Sequence, residues 1–188
     1  KELCKPFDER RAGLNLGEGA GYIVLQREED CNKMYCRFSG FANTNDAFHQ
    51  TASSEKGEGA YLAMTKALSM AGLYPESIDY INAHGTGTLN NDLTESIAIS
   101  RIFNQDIPLI CSTKSYTGHT LAASGGIEAI FSILSIKEGF VPESLNFAVP
   151  MHNGVTPTTR LHRQEINTVL SNSFGFGGNC STLIFSKQ

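Results

Sequence analysis

The stretch KSYTGHTLAASGGIEAIFSILSIKEG, Lys114 to Gly139, changes character half-way along. Around His119 it is small, hydroxylated and glycine-bearing. Beyond it, Ile127, Ile130, Phe131 and Leu134 recur at helical spacing, and Ile133 and Ile136 widen the apolar face. The pattern predicts one long helix from about Thr117 to Glu138, buried on more than one side, with His119 near its start. The apolar run Ile107 to Cys111 just before it predicts a strand. The same order occurs upstream, where a strand from Ile78 to Ala83 leads into His84 and the loop HGTGT, followed by a helix from Asp92 to Phe103. Further strands are predicted in GAGYIVLQRE and from Tyr35 to Ala42. A helix spans Gly57 to Gly72, with Met64, Ala67, Leu68 and Ala71 on one face and Gly72 as its stop. The chain closes with a strand from Thr168 to Ser171, the loop NSFGFGGN, and a strand near Thr182 to Ser186. Alternating strands and helices imply a layered α/β fold. Its sheet is mixed, because a short turn joins the last two strands.

Composition sets outer bounds. With 188 residues, 40% of them hydrophobic, the chain fits one globular domain with its own core. Lys+Arg number 15 against 19 Asp+Glu, in no long block of either sign, which argues against a nucleic-acid surface or a polybasic membrane anchor. No apolar run approaches the ~20 residues of a membrane-spanning helix. The opening KELCKPFDERR reads neither as a signal peptide nor as a start with methionine, and hints at a longer chain. Five cysteines without CxxC or Cys/His ligand spacing predict reduced thiols in a cytoplasmic protein.

Three loops lie just past the carboxyl ends of predicted strands, where open α/β sheets build their sites. They carry His84, then Lys114 and His119, then Phe174 and Phe176. A lone loop histidine is most often structural; two in glycine-rich loops at equivalent strand ends favour a shared site. Lys114 reads equally well as a surface lysine or as a member of that site. Near a helix start, His119 is predicted to stay neutral, since backbone N–H groups there disfavour imidazolium and Lys114 presses the same way. A neutral imidazole can donate to a developing oxyanion. A histidine-bound metal would need a third ligand such as His49, and no HExxH-type motif is present.

Taken together, KPFDERRAGLNLGEGAG, NAHGTGT with Asp92 and Glu95 following, KSYTGHTLAASGGIEA and SNSFGFGGN resemble the β-ketoacyl-acyl carrier protein synthases, in that family's order and over nearly the whole chain. The resemblance implies a thiolase-like fold, with residues 1–188 a single domain forming the C-terminal of two related halves. It also implies a Cys-His-His triad whose histidines are His84 and His119, accompanied by Lys114. The nucleophilic cysteine belongs to the N-terminal half and is missing here, so this piece alone is expected to be inactive. Cys111 and Cys180 read as strand thiols, and Cys4, Cys31 and Cys36 fall outside the three loops. The reaction implied for the whole enzyme is decarboxylative condensation of malonyl-acyl carrier protein with an acyl thioester on that cysteine, serving fatty acid, polyketide or aryl polyene synthesis.

The same resemblance assigns further roles. The backbone N–H of Phe176 joins an oxyanion hole and its ring gates the acyl pocket, with Phe174 beside it; both could instead be core residues of a hairpin. Thr86 and Thr88, helped by Thr51, hold the phosphopantetheine arm of the carrier protein, or simply hold the turn. Asp92 and Glu95 are spaced to cap the following helix, and Glu95 is expected to pair with Lys114. Asn82, Glu128, Ser171 and Asn172 match a structural monovalent-cation site, for which a water-filled network is the alternative. No other cofactor is required. The implied partners are acyl carrier protein and a second copy of the full-length enzyme. HGTGT in place of HGTST, and FGGN-Cys in place of FGGTN, depart from the family's commoner forms without touching the histidines. One rival is a non-catalytic partner subunit of the chain-length-factor kind, which usually lacks active-site residues that this chain keeps. A degradative thiolase is another, and NSFGFGGN fits it poorly.

Overall fold

The computed structural model describes residues 2–188. Five strands form one sheet in the order β1-β7-β6-β2-β3, where β1 is Arg37–Asn45, β2 Tyr80–Asn82, β3 Leu109–Cys111, β6 Thr168–Phe174 and β7 Asn179–Ser186. β2 runs parallel to both β3 and β6, whereas β7 is antiparallel to β6 and β1, so the sheet is mixed as expected. Two short strands, β4 (Phe140–Val141) and β5 (His162–Arg163), pair separately. The helices are α1 (Glu58–Ala71), α2 (Leu89–Phe103), α3 (Lys114–Thr117) and α4 (Ser124–Glu138).

Strand alternation divides the core into two layers. Ile81, Ile110, Leu170 and Ile184 face one side and pack with Met64, Ala67 and Leu68 of α1 and Ala98, Ile99 and Phe103 of α2. Tyr80, Cys111, Val169 and Phe185 face the other, against Ala129 and Ile136 of α4. β1 crosses α1 at a close approach. A Cβ placed on Gly40 would lie 2.6 Å from the carbonyl oxygen of Ala67 and 2.9 Å from the Ala71 methyl. Gly40→Ala is therefore expected to destabilise the fold by about 1–3 kcal/mol through overpacking. Urea denaturation checks this, and an unchanged midpoint would show that the α1–β1 contact yields freely.

Two predicted elements differ. GAGYIVLQRE is not a strand: residues 22–26 are exposed, with Tyr22 90% and Val24 87% accessible. β-branched composition favours a ladder only where a neighbour exists to complete it, and no named strand among the described residues pairs with this segment. The single long helix is broken as well. Gly118, at φ 70° and ψ 179°, ends α3, and a 3-10 turn at Leu121–Ala123 precedes α4. Glycine adopts that backbone without steric cost. The predicted apolar face is also inverted. α4 buries Ser124, Glu128, Ala129, Ser132, Ser135 and Ile136, while Ile127, Ile130 and Phe131 are half-buried and Leu134 exposed. Ile130, Ile133, Leu134 and Lys137 of α4, with Phe38, Phe185 and the Tyr22–Leu25 segment, line a groove of about 770 Å³.

Candidate active site

His84 follows β2, Lys114 and His119 follow β3, and Phe174 ends β6, so parallel pairing brings all three loops to one edge of the sheet. The two imidazoles meet edge to face with 5.4 Å between ring centres, and the Phe174 ring lies 5.3 Å from His84. Lys114 is only 1% exposed, which excludes the surface reading. Its Nζ donates to the His84 carbonyl at 2.6 Å, lies 3.3 Å from His84 Nδ1, and forms an ion pair with the Glu128 carboxylate.

Glu95 does not pair with Lys114. Its two oxygens accept the backbone N–H groups of His84 (2.9 Å) and Gly85 (2.8 Å) and the Asn172 amide (3.2 Å). Asp92 accepts from Gly87 N (3.1 Å) and Phe7 N (2.7 Å). Neither carboxylate caps α2, whose N-cap Thr88 has no side-chain bond. Both reach back to clasp the loop that carries His84. Burial raises Glu95 to about 7 despite these donors. Glu128, a lone carboxylate inside an apolar helical pattern, is the partner of Lys114 that sequence spacing missed. The available signal was that a carboxylate within an apolar helical pattern is seldom buried without a partner.

Both histidines are held neutral. Burial comes first for each, and Lys114 adds to it; His84 falls well below the usual imidazole value and His119 falls to about 4. The expectation of a neutral His119 is met, with Lys114 contributing as expected, but the larger cause is burial and not a helix N-terminus, because α4 begins only at Ser124. The Leu121 N–H donates to His119 Nδ1 at 3.1 Å, which leaves the proton on Nε2. The Lys114 ammonium beside His84 Nδ1 selects the same tautomer there. The chemistry available is therefore a pair of Nε2–H donors, one on the buried His84 and one on the half-buried His119. The folded value of His119 lies below its unfolded value of 6.5, so its contribution to stability is fully present above pH 6.5 and is lost as pH falls toward 4. Urea midpoints compared at low and neutral pH should show a shallower dependence for His119→Gln than for the unaltered chain.

Thr86 and Thr88 hydroxyls lie 2.8 Å apart beside His84. Thr51 is exposed, on the loop whose Gln50 carbonyl accepts the Gly177 N–H at 2.7 Å. Phe176 is 81% exposed. Of the four residues matched to a cation site, Asn82 and Ser171 are register partners whose Oδ1 and Oγ are buried without a partner, and Asn82 Nδ2 donates to the Glu128 carbonyl at 3.0 Å. The Asn172 side chain turns to the opposite face, toward Met64 and Thr182. Among the described residues, no group of three or more His, Cys, Asp or Glu side chains could hold a metal, and no helix is long and apolar enough to cross a membrane. Burial raises the thiols of Cys4, Cys36, Cys111 and Cys180, the last two to about 12, so none of these is an activated nucleophile.

A mixed sheet between helices with this edge is the architecture of the thiolase-fold ketosynthases. A type II polyketide ketosynthase in complex with its acyl carrier protein superposes with a TM-score of 0.95 at 30% identity, over 99% of this chain and 48% of that one. The ishigamide ketosynthase/chain length factor gives 0.94 at 34% identity, over 100% and 47%. The family described as Beta-ketoacyl synthase, C-terminal domain, matches residues 35–148, and the chain belongs to it. It is 42% identical to the mitochondrial 3-oxoacyl-[acyl-carrier-protein] synthase of Arabidopsis thaliana, over all of this chain and 43% of that protein. It is 44% identical to 3-oxoacyl-[acyl-carrier-protein] synthase 2 of Rhizobium meliloti, over all of this chain and 46% of that protein. The chain thus spans a little under half the length of these relatives.

Proposed function

We propose that this chain is the C-terminal half of a 3-oxoacyl-[acyl-carrier-protein] synthase of fatty acid or related chain elongation, with the nucleophilic cysteine in the other half. The observation that carries this is the pair of neutral imidazoles, each with Nδ1 engaged and Nε2–H left to donate. In the reaction, the bond between the malonyl carboxylate and the α-carbon breaks and carbon dioxide leaves. The electron pair forms an enolate whose thioester oxygen is held by His84 and His119. The α-carbon then attacks the acyl thioester carbonyl and expels the cysteine thiolate. Lys114 orients His84, and Glu95 and Asp92 fix its loop. Phe176 contributes its N–H to the acyl oxyanion and its ring as a gate, with Phe174 packing behind.

Thr86, Thr88 and Thr51 are assigned to the phosphopantetheine arm of the carrier protein, the only prosthetic group required. The orphaned oxygens of Asn82 and Ser171, beside Glu128, suit a monovalent cation or a water; the side chain of Asn172 is not in reach, so only its backbone could take part. Free thiols suit a cytoplasmic enzyme, and a homodimer is the assembly we assign to the full-length protein. Retention of His84, Lys114 and His119 favours this reading over a chain-length-factor-type subunit. The test is release of carbon dioxide from malonyl-acyl carrier protein by the full-length protein. Sustained release supports the reading, and its absence in a folded preparation overturns it.

A further inference from the structure

His119 sits on a stretch with no regular structure of its own, between Gly118 at φ 70° and Leu121 at φ 55°. Something else must hold it. The N-terminal strap does so through a one-residue parallel bridge between Leu16 and His119. The His119 N–H donates to the Asn15 carbonyl at 2.7 Å, and the Gly17 N–H donates to the His119 carbonyl at 3.1 Å. The same strap grips the other histidine's loop. Gly13 N–H donates to Gly87 O (3.0 Å), Cys4 Sγ to Thr86 O (3.3 Å), and Arg11 Nε to Thr88 O (3.2 Å). The Asn15 side chain ties the strap to itself, accepting from Cys4 N at 2.8 Å and donating to Glu2 O at 3.0 Å. Closeness is set at Gly17, where an added Cβ would stand 2.0 Å from the Thr117 carbonyl oxygen.

We propose that residues 4–17 form a brace that fixes the separation of the two histidine rings, with Asn15 and Gly17 as positioning residues for His119. This rests on the proposed function only in its activity arm. A side chain at Gly17 cannot be absorbed without moving the strap or the end of α3, and the brace requires that this movement displace His119 relative to His84. The groups facing His119 are His84, on the loop that the strap grips, and Lys114, at the start of α3.

The test uses Gly17→Ala in the full-length protein, with histidine ring signals followed by NMR across pH and malonyl decarboxylation assayed in parallel. The brace predicts that the His119 midpoint rises from about 4 toward 6.5 by about one unit or more. It also predicts that kcat falls about 10²-fold while KM stays within about twofold. An unmoved His119 midpoint in a folded variant overturns the proposal. Should Gly17→Ala fail to fold, Asn15→Ala decides: it removes the tie to Cys4 N and Glu2 O without adding charge and should raise the His119 midpoint, and an unmoved midpoint overturns the brace. A shifted His119 midpoint in a protein whose unaltered form never decarboxylates would retain the brace and sink the proposed function instead.

Discussion

His84→Ala and His119→Ala are each expected to slow malonyl decarboxylation by the full-length protein about 10²–10³-fold, the cost of removing one preorganised donor, equivalent to about 2.7–4 kcal/mol. Both donors are prepared before substrate arrives. Burial and Lys114 keep both rings neutral, and Nδ1 of each is already engaged, by Leu121 N–H on His119 and by Lys114 on His84. No reorganisation is then needed when negative charge develops on the thioester oxygen. The two substitutions should not combine additively, because the rings lie edge to face with 5.4 Å between their centres and share one site. Carbon dioxide release is the readout, with circular dichroism confirming the fold. A loss smaller than about tenfold from either substitution would take that histidine out of the donor role.

Lys114→Met is the substitution with the largest expected cost to stability, about 3–5 kcal/mol, since it leaves the Glu128 carboxylate buried without its counter-charge. Burial already raises Glu128, with Lys114 the main influence lowering it again, so removing the lysine pushes the carboxyl further up. An acid whose folded value lies above its unfolded value stabilises the fold at low pH and loses that contribution as pH rises. The variant should therefore recover stability on acidification. The double variant Lys114→Met, Glu128→Gln should regain much of the loss at neutral pH. Urea denaturation of the three proteins tests this, and a loss below about 1 kcal/mol in Lys114→Met would place Glu128 in better contact with solvent than its burial indicates.

The sheet and the edge that carries the site were legible because short apolar runs bounded by glycine-rich loops are local signals. The strands β2, β3 and β6 lie where those runs lie. The break at Gly118 was hidden by the strong apolar periodicity that follows it, so a helix N-terminus was expected where burial, with Lys114, keeps His119 neutral. The pairing of Lys114 with Glu128 rather than Glu95 depends on how the broken helix folds back over the sheet, which no sequence spacing expresses. The segment around Tyr22–Leu25 reads as a strand because composition reports propensity, whereas a ladder depends on a neighbour elsewhere. The inverted face of α4 escaped for a related reason. Periodicity identifies an apolar stripe but not whether this sheet or another surface covers it, and here the sheet takes the serines and Glu128.

The buried thiols have a practical corollary for covalent chemistry. With Cys36 raised to about 11 and Cys111 and Cys180 to about 12, and with Cys4 also raised, thiolate is scarce at neutral pH in the folded chain. In a Cys31→Ser background, an electrophilic acyl mimic applied to the full-length protein would meet almost no competing sulfur in this half. Any brisk adduct could then be assigned to the other half without peptide mapping, and slow labelling here would serve as a gauge of unfolding.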